Sequence, residues 1–333
     1  MTDFRLDESD EFPHPVDNAV NFNESMYFNV FDPVQKVGGW FRIGNRPNEN
    51  YAEMSVCLFL PDGKVGFMYA RPEITKNDKH DAGGLRFTVD EPFKRFSQSY
   101  QGDVLILKNP REMIDPKAAF QNNPKEACSI ELSYTGLSPL HGGEPTAPDG
   151  QTMYGRSFSR GHFNQHTAGV GTITVGGTTY TINGFGWRDH SWGPRYWQNI
   201  WWYRLLLANF GDDMGFMILK ITDMDRTTRR VGVVFRNGRY EELLDMDLMT
   251  EYSDDPYHQK IHLEARTTEG SFKAEGQVRT LLPLRNRRKI DDGILHTRIC
   301  EGMTEWTAEG RTGWGLCEYL DQIVDDQPVG FPH

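Results

Sequence analysis

The sequence lacks any long apolar run. No stretch of its 333 residues approaches the roughly 18 apolar residues that span a bilayer, so no transmembrane segment is expected. The first residues, MTDFRLDESDEFPHPVD, have neither the basic start nor the apolar core of a secretion signal, and a cytoplasmic location is expected by default. Positive charge is also short: 36 Lys and Arg stand against 47 Asp and Glu, for a net charge of −11. That balance argues against nucleic acid as a partner, because phosphate backbones are bound through clustered Lys and Arg. The one basic run, from Arg285 to Lys289, is followed at once by Asp291 and Asp292 and reads as a solvated loop.

Cysteine is scarce. Cys57, Cys128, Cys300 and Cys317 show no C-x-x-C spacing, which excludes a zinc ribbon, an iron–sulfur site and a disulfide framework and predicts reduced, buried thiols. No phosphate loop is present, and no G-x-G-x-x-G opens a helix after a strand, so a nucleotide has no visible cradle. Helical periodicity is nearly missing as well: Lys117–Phe120 and Leu243–Met249 offer a turn or two each.

What remains is the signature of β-hairpins. Ala52–Tyr69 brackets an Asp-Gly, Thr172–Ile182 a Gly-Gly and Val231–Leu243 an Asn-Gly, each between runs rich in Val, Ile, Thr and aromatics. Two later stretches, IHLEARTTEGSFKAEGQV and MTEWTAEGRTGWGLCEYL, read as further antiparallel pairs. With 33 glycines and 18 prolines to make turns, an all-β fold of antiparallel sheets closed into barrels is favoured. The length points to two domains. Pro72–Gly84 and Ser138–Gly150 read as loops, the second as a domain linker or a long loop over a barrel mouth.

One segment stands apart. Residues 185–203 hold eight aromatics and five of the eight tryptophans, interleaved with Arg188, Asp189, His190, Arg195 and Gln198. Core filling explains the tryptophans but not the charges, since burying Arg, Asp and His is costly unless they are paired or face a wet cavity. A structural salt-bridge cluster and a functional site are the two readings. If Gly186–Trp192 is extended, Trp187, Asp189 and Ser191 share one face while Arg188, His190 and Trp192 share the other. His190 then stands beside Trp192, and Asp189 points away. Ser191 in Asp-His-Ser-Trp-Gly nearly matches the G-x-S-x-G elbow, but Asp189 stands where glycine is required and Pro194 follows in place of a helix. A metal site built from His162, His166 and His190 with Asp189 is a further rival, although His162-Phe-Asn-Gln-His166 leads into a Gly-rich strand rather than a helix. No metal and no cofactor are expected.

At Gly184-Phe-Gly-Trp-Arg-Asp-His-Ser-Trp-Gly193 the chain resembles the AttH-like and carotenoid 1,2-hydratase (hydroxyneurosporene synthase) superfamily. Trp201-Trp202-Tyr203 looks like the aromatic strand that follows in that family, and Gly38-Gly39-Trp40-Phe41-Arg42 like its N-terminal tryptophan strand. The resemblance implies two tandem lipocalin-like (calycin or allene-oxide-cyclase-type) antiparallel β-barrel domains, taken as residues 1–185 and 186–333. It also implies a cofactor-independent hydratase, dehydratase, isomerase or cyclase acting on a hydrophobic terpenoid, steroid or aromatic substrate. The family's His-x-Trp pair falls on His190 and Trp192, and its adjacent aspartate on Asp189. The Tyr-x-Asp of the carotenoid hydratases has no counterpart in Met214–Asp223. Trp187, Trp197, Trp201, Tyr203, Arg195, Trp40, Arg42 and Tyr69 are the expected substrate contacts, with Arg71 a further polar candidate. The expected partner is a small hydrophobic substrate, with a homodimer left open. The competing expectation is a lipocalin-like carrier of an apolar ligand, in which His190 is bonded into the wall.

Overall fold

The computed structural model describes residues 3–290 and 293–332. The chain forms two compact units: one comprises residues 1–107 and 123–196, the other residues 108–122 and 197–333. The boundary anticipated between residues 185 and 186 therefore falls inside a strand of the first unit. Among the described residues no helix is long and apolar enough to cross a membrane.

The first unit contains β1 (Phe4–Arg5), β2 (Phe22–Asp32), β3 (Val37–Arg46), β4 (Tyr51–Phe59), β5 (Val65–Ala70), β6 (Asp81–Ala82) and β7 (Leu85–Glu91). They are followed by β8 (Arg95–Leu107), β9 (Lys125–Gly136), β10 (His141–Pro145), β11 (Gly161–Val175) and β12 (Thr178–Pro194). Strands β11, β12, β2, β3, β4, β5, β8 and β9 pair in that order, and β9 returns to β11, closing an antiparallel barrel. The segment read as a linker, Ser138–Gly150, instead contains β10, which pairs with β11 through His141↔Asn164 and so belongs to the first unit. The barrel interior is apolar: Met26, Phe28, Val30, Phe41, Ile43 and Val56 are among its buried core. Two glycines of the motif permit close approach in β12. A Cβ on Gly186 would stand 1.8 Å from the Asn29 carbonyl oxygen, and one on Gly184 2.2 Å from that of Phe31.

The second unit is a meander of β13 (Ile200–Asn209), β14 (Met214–Asp223), β15 (Thr228–Arg236), β16 (Arg239–Tyr252), β17 (His258–Thr267), β18 (Ser271–Ile290), β19 (Gly293–Ala308) and β20 (Arg311–Val324). Each strand pairs with the next, and β13 pairs with β20 to close the ring. The fold is thus two tandem lipocalin-like antiparallel barrels, as the resemblance implied. All five predicted hairpins form. Asn237 and Gly238 both take positive φ (48° and 86°), which is what a two-residue turn matching the strand twist requires.

The turn at Lys117–Phe120 is the helix α1 (Pro116–Asn122). The one expected at Leu243–Met249 is strand, part of β16. A bulge between Leu243 and Asp245 separates Leu243 from the buried Met246 by three positions, so the apolar spacing imitates a helix. The basic run from Arg285 is also strand rather than loop, paired with β19 through Arg285↔Arg298 and Lys289↔Ile294; Asp291 and Asp292 lie outside the described residues.

Candidate functional site

β12 is extended through the whole motif, so neighbouring side chains serve opposite faces. Arg188 pairs in register with Phe28 and His190 with Met26, which places Arg188, His190 and Trp192 on the core face of the barrel. Asp189 pairs with Tyr27 and Asn164, and Ser191 with Ser25 and His162, on the opposite face. The alternation read from the sequence holds residue by residue.

On the core face the charges are paired. Arg188 is fully buried and donates through Nη1 and Nη2 to the two carboxylate oxygens of Glu11 at 3.0 and 2.5 Å and through Nε to Gln165 Oε1 at 2.8 Å. Its guanidinium lies 4.0 Å above the Phe96 ring. His190 Nε2 donates to Glu24 Oε1 at 2.6 Å, both side chains being fully buried. His14 approaches the same oxygen from the N-terminal segment, Nδ1 at 3.0 Å, while its Nε2 lies 3.1 Å from Asp10 Oδ1. With both ring nitrogens donating to carboxylates, His14 is held as the imidazolium. It stacks on Trp192 with ring centroids 3.8 Å apart. A Cβ at Gly161 would lie 2.1 Å from the Trp192 ring, so glycine there makes room for the indole.

The electrostatics follow from these contacts. Burial pushes the Glu24 carboxyl up, but the hydrogen bonds and charges of His14 and His190 outweigh it and hold the group well below the usual carboxylate range. For His14, burial works against protonation, yet Glu24 and Asp10 raise its pKa overall. His80, edge-on to His190 at 5.4 Å between centroids, is pushed down to about 3 by burial and by the neighbouring His190. A cleft of about 420 Å³ opens beside this cluster, lined by Phe12, Met26, His80, Phe87 and Val89 among others.

The opposite face is wetter. Asp189 keeps 25% of its side chain exposed, with its Oδ2 3.9 Å from His162 Nε2. Asn164 Nδ2 lies 3.3 Å from His162 Nδ1; donating to it, the amide leaves the ring proton on Nε2, the nitrogen turned toward Asp189. Burial, working against Asp189, lowers the His162 pKa, so its imidazole is neutral at pH 7. Arg195 donates to Ser191 Oγ at 2.6 Å and to the Phe158 carbonyl at 3.1 Å, and burial and the neighbouring Arg42 push its pKa down to about 10. Arg42 in turn pairs with Glu53 at 3.1 Å, and Arg71 Nε donates to the Tyr69 hydroxyl at 2.6 Å. By strand register Trp187, Trp40, Arg42 and Tyr69 share this face with Asp189.

Of the residues singled out from sequence, Trp40, Arg42, Tyr69, Trp187, Asp189, His190, Trp192 and Arg195 thus lie in the first unit, distributed over two faces of one sheet. Trp197, Trp201 and Tyr203 belong to the second unit. There Arg226 lies 3.3 Å above the Trp201 ring, and the buried Tyr203 bonds Glu318. The metal rival does not assemble: His162 and His166 face away from His190, matched to Ser191 and Trp187 across β12. Ser191 lies within a continuing strand, held by Arg195, with no elbow. Sequence reasoning missed Asp10, Glu11, His14, Glu24 and His80. One signal was available for Glu24. In Phe22–Val30 it alternates with Met26, Phe28 and Val30, a carboxylate on an otherwise apolar face.

The fold is that of two tandem lipocalin-like antiparallel barrels. The chain is similar in structure to a protein assigned as AttH from Nitrosomonas europaea (15% identity, 95% of this chain and 96% of that one, TM-score 0.60). It is also similar to CghA solved with Sch210972 (10% identity, 93% and 94% covered, TM-score 0.59) and to kievitone hydratase from Nectria haematococca (11%, 90% and 89%, TM-score 0.53). No protein of curated function matches the chain in sequence. Residues 7–323 match the family described as "Domain of unknown function (DUF7064)", and the chain belongs to that family.

Proposed function

We propose that this protein is an enzyme of the hydratase or cyclase type, acting on a small hydrophobic substrate by acid–base chemistry without a redox cofactor. Asp189 and His162 are its proton-handling pair. The observation that carries this reading is the partly exposed Asp189 carboxylate facing the Nε2–H of a neutral, buried His162, on the face that also bears Trp187, Trp40 and Tyr69. A carboxylate can take a proton, an imidazole held neutral can give or relay one, and a positioned pair of this kind contributes roughly 10²–10⁴ in rate. The aromatic faces suit a developing carbocation, and Arg195 beside Ser191 offers a donor to a substrate oxygen. Two structural relatives bear on the class by name: kievitone hydratase, and CghA with its ligand Sch210972.

His190 and Trp192 take a supporting role in this scheme, since His190 is fully buried and bonded to Glu24. That same bond favours the second reading, a carrier of an apolar ligand whose wall histidine is structural. The two readings separate on one experiment. The protein is offered kievitone and a panel of terpenoid, steroid and aromatic alkenes, with binding followed by tryptophan fluorescence and turnover by mass spectrometry. The enzyme reading expects a gain or loss of water, or an isomer, with Asp189→Asn slowing it by roughly 10²–10⁴ at an unchanged melting point. Saturable binding with no turnover establishes the carrier. Full activity in Asp189→Asn together with its loss in a folded His190→Ala moves the chemistry to the core face.

A further inference from the structure

The barrel's core face holds a second constellation that the acid–base reading does not use. His14, Glu24 and His190 each offer one ligand atom, and the three atoms lie within 4.8 Å of one another. They come from three separate parts of the first unit: the N-terminal segment, β2 and β12. The sequence, which shows no compact ligand spacing, led to the expectation of no metal; it did not bring His14 and Glu24 together with His190, which lies 166 positions beyond Glu24.

We propose that His14, Glu24 and His190 form a binding site for one divalent transition cation of the zinc class, which fastens the N-terminal segment to the barrel. Two imidazoles and one carboxylate are the donor set such ions take, at about 2.0–2.2 Å from each atom. Ligand atoms around such an ion stand about 3.3 Å apart. Glu24 Oε1, now 2.6 Å from His190 Nε2 and 3.0 Å from His14 Nδ1, therefore recedes by a few tenths of an ångström when the ion replaces the two protons.

Three further observations point the same way. First, His14 Nε2 is bonded to Asp10 Oδ1 at 3.1 Å, the carboxylate–histidine arrangement that orients metal-bound imidazoles and raises their basicity. Second, Glu24 has no arginine or lysine partner among the described residues, and Asp10 has only Arg5 at 3.4 Å, which is itself nearly half exposed, so no basic side chain occupies the place of a cation between the two carboxylates. Third, His80 is 4% exposed and presents an Nε2 with no hydrogen-bond partner, its ring edge-on to His190. It lies beside the cluster but outside the three residues whose ligand atoms come within 4.8 Å of one another.

The site stands apart from the Asp189–His162 pair, so its test reads metal and not turnover. Protein prepared without a polyhistidine tag is stripped with a chelator and dialysed. It is then titrated with Co²⁺, followed by ligand-field absorption, and with Zn²⁺, followed by elemental analysis after renewed dialysis. One retained equivalent of zinc and cobalt absorption saturating at one equivalent are expected. Asp10→Asn should weaken Co²⁺ binding by about 10–100-fold, and His14→Asn should abolish it while the β-sheet circular dichroism is kept. No retained zinc and no saturable cobalt absorption in folded wild-type protein overturns the proposal. So does metal binding that both variants leave unchanged.

Discussion

Removing Arg188 should destabilise the first barrel strongly. Its guanidinium is fully buried, bonded at both ends to Glu11 and through Nε to Gln165, with Phe96 beneath it. In Arg188→Met the shape is roughly kept, but Glu11 stays buried with only the Phe93 amide, at 3.0 Å, to satisfy it. Breaking a buried pair from one side costs about 3–5 kcal/mol. At about 2–4 °C per kcal/mol for a unit of this size, the midpoint should fall by roughly 6–20 °C. The double variant Glu11→Leu/Arg188→Met removes both charges and should recover most of that loss, because an apolar replacement of a buried pair is often neutral or better. Thermal unfolding followed by tryptophan fluorescence measures all three proteins. An Arg188→Met midpoint equal to wild type, or a double variant no more stable than the single one, would refute the assignment of this pair as a buried, mutually dependent unit.

Other consequences are equally open to measurement. Gly186→Ala should cost about 1–3 kcal/mol or more, since its Cβ would meet the Asn29 carbonyl at 1.8 Å; an unchanged denaturation midpoint would show that the strands can separate there freely. In the second barrel His258 bonds the Cys317 carbonyl and stacks on Tyr319, and burial, with Arg204 nearby, pushes its pKa from 6.5 down to about 3. A depressed histidine favours the neutral folded form. Its contribution is therefore complete above 6.5 and is lost as pH falls toward 3, at up to about 1.4 kcal/mol per pH unit. His258→Gln should flatten the acid side of the stability profile by up to one proton, and identical slopes in the two proteins would exclude this.

Much of the fold was legible in the letters because hairpins are local. Asp-Gly, Gly-Gly and Asn-Gly between β-rich runs place turns without reference to anything distant. The period of two then told which of Asp189 and His190 shares a face with Trp192. The failures are also physical. Leu243 and Met246 stand three apart because of a bulge, and a bulge leaves no signature distinct from helical spacing. The partners of Arg188 and His190 could not be read at all: Glu11, His14 and Glu24 lie more than 160 positions earlier, and only the folded register brings them together. Charge among tryptophans showed that partners must exist. It did not name them.

The long reach of those pairs also bears on how the chain acquires its structure. The first barrel is closed by β2 against β12, Glu24 facing Trp192, so its earliest strands must wait for its last. Such non-local closure is slow to nucleate. On a ribosome β2 would emerge with one edge unpaired and remain so until β12 had followed it. Residues 108–122, which belong to the second unit, leave the tunnel inside that interval with their own unit still unmade. The second barrel, by contrast, is a succession of neighbouring hairpins sealed by a single pairing of its end strands, and can fold as it is made. Vectorial synthesis therefore leaves the two halves unequally exposed to misassembly.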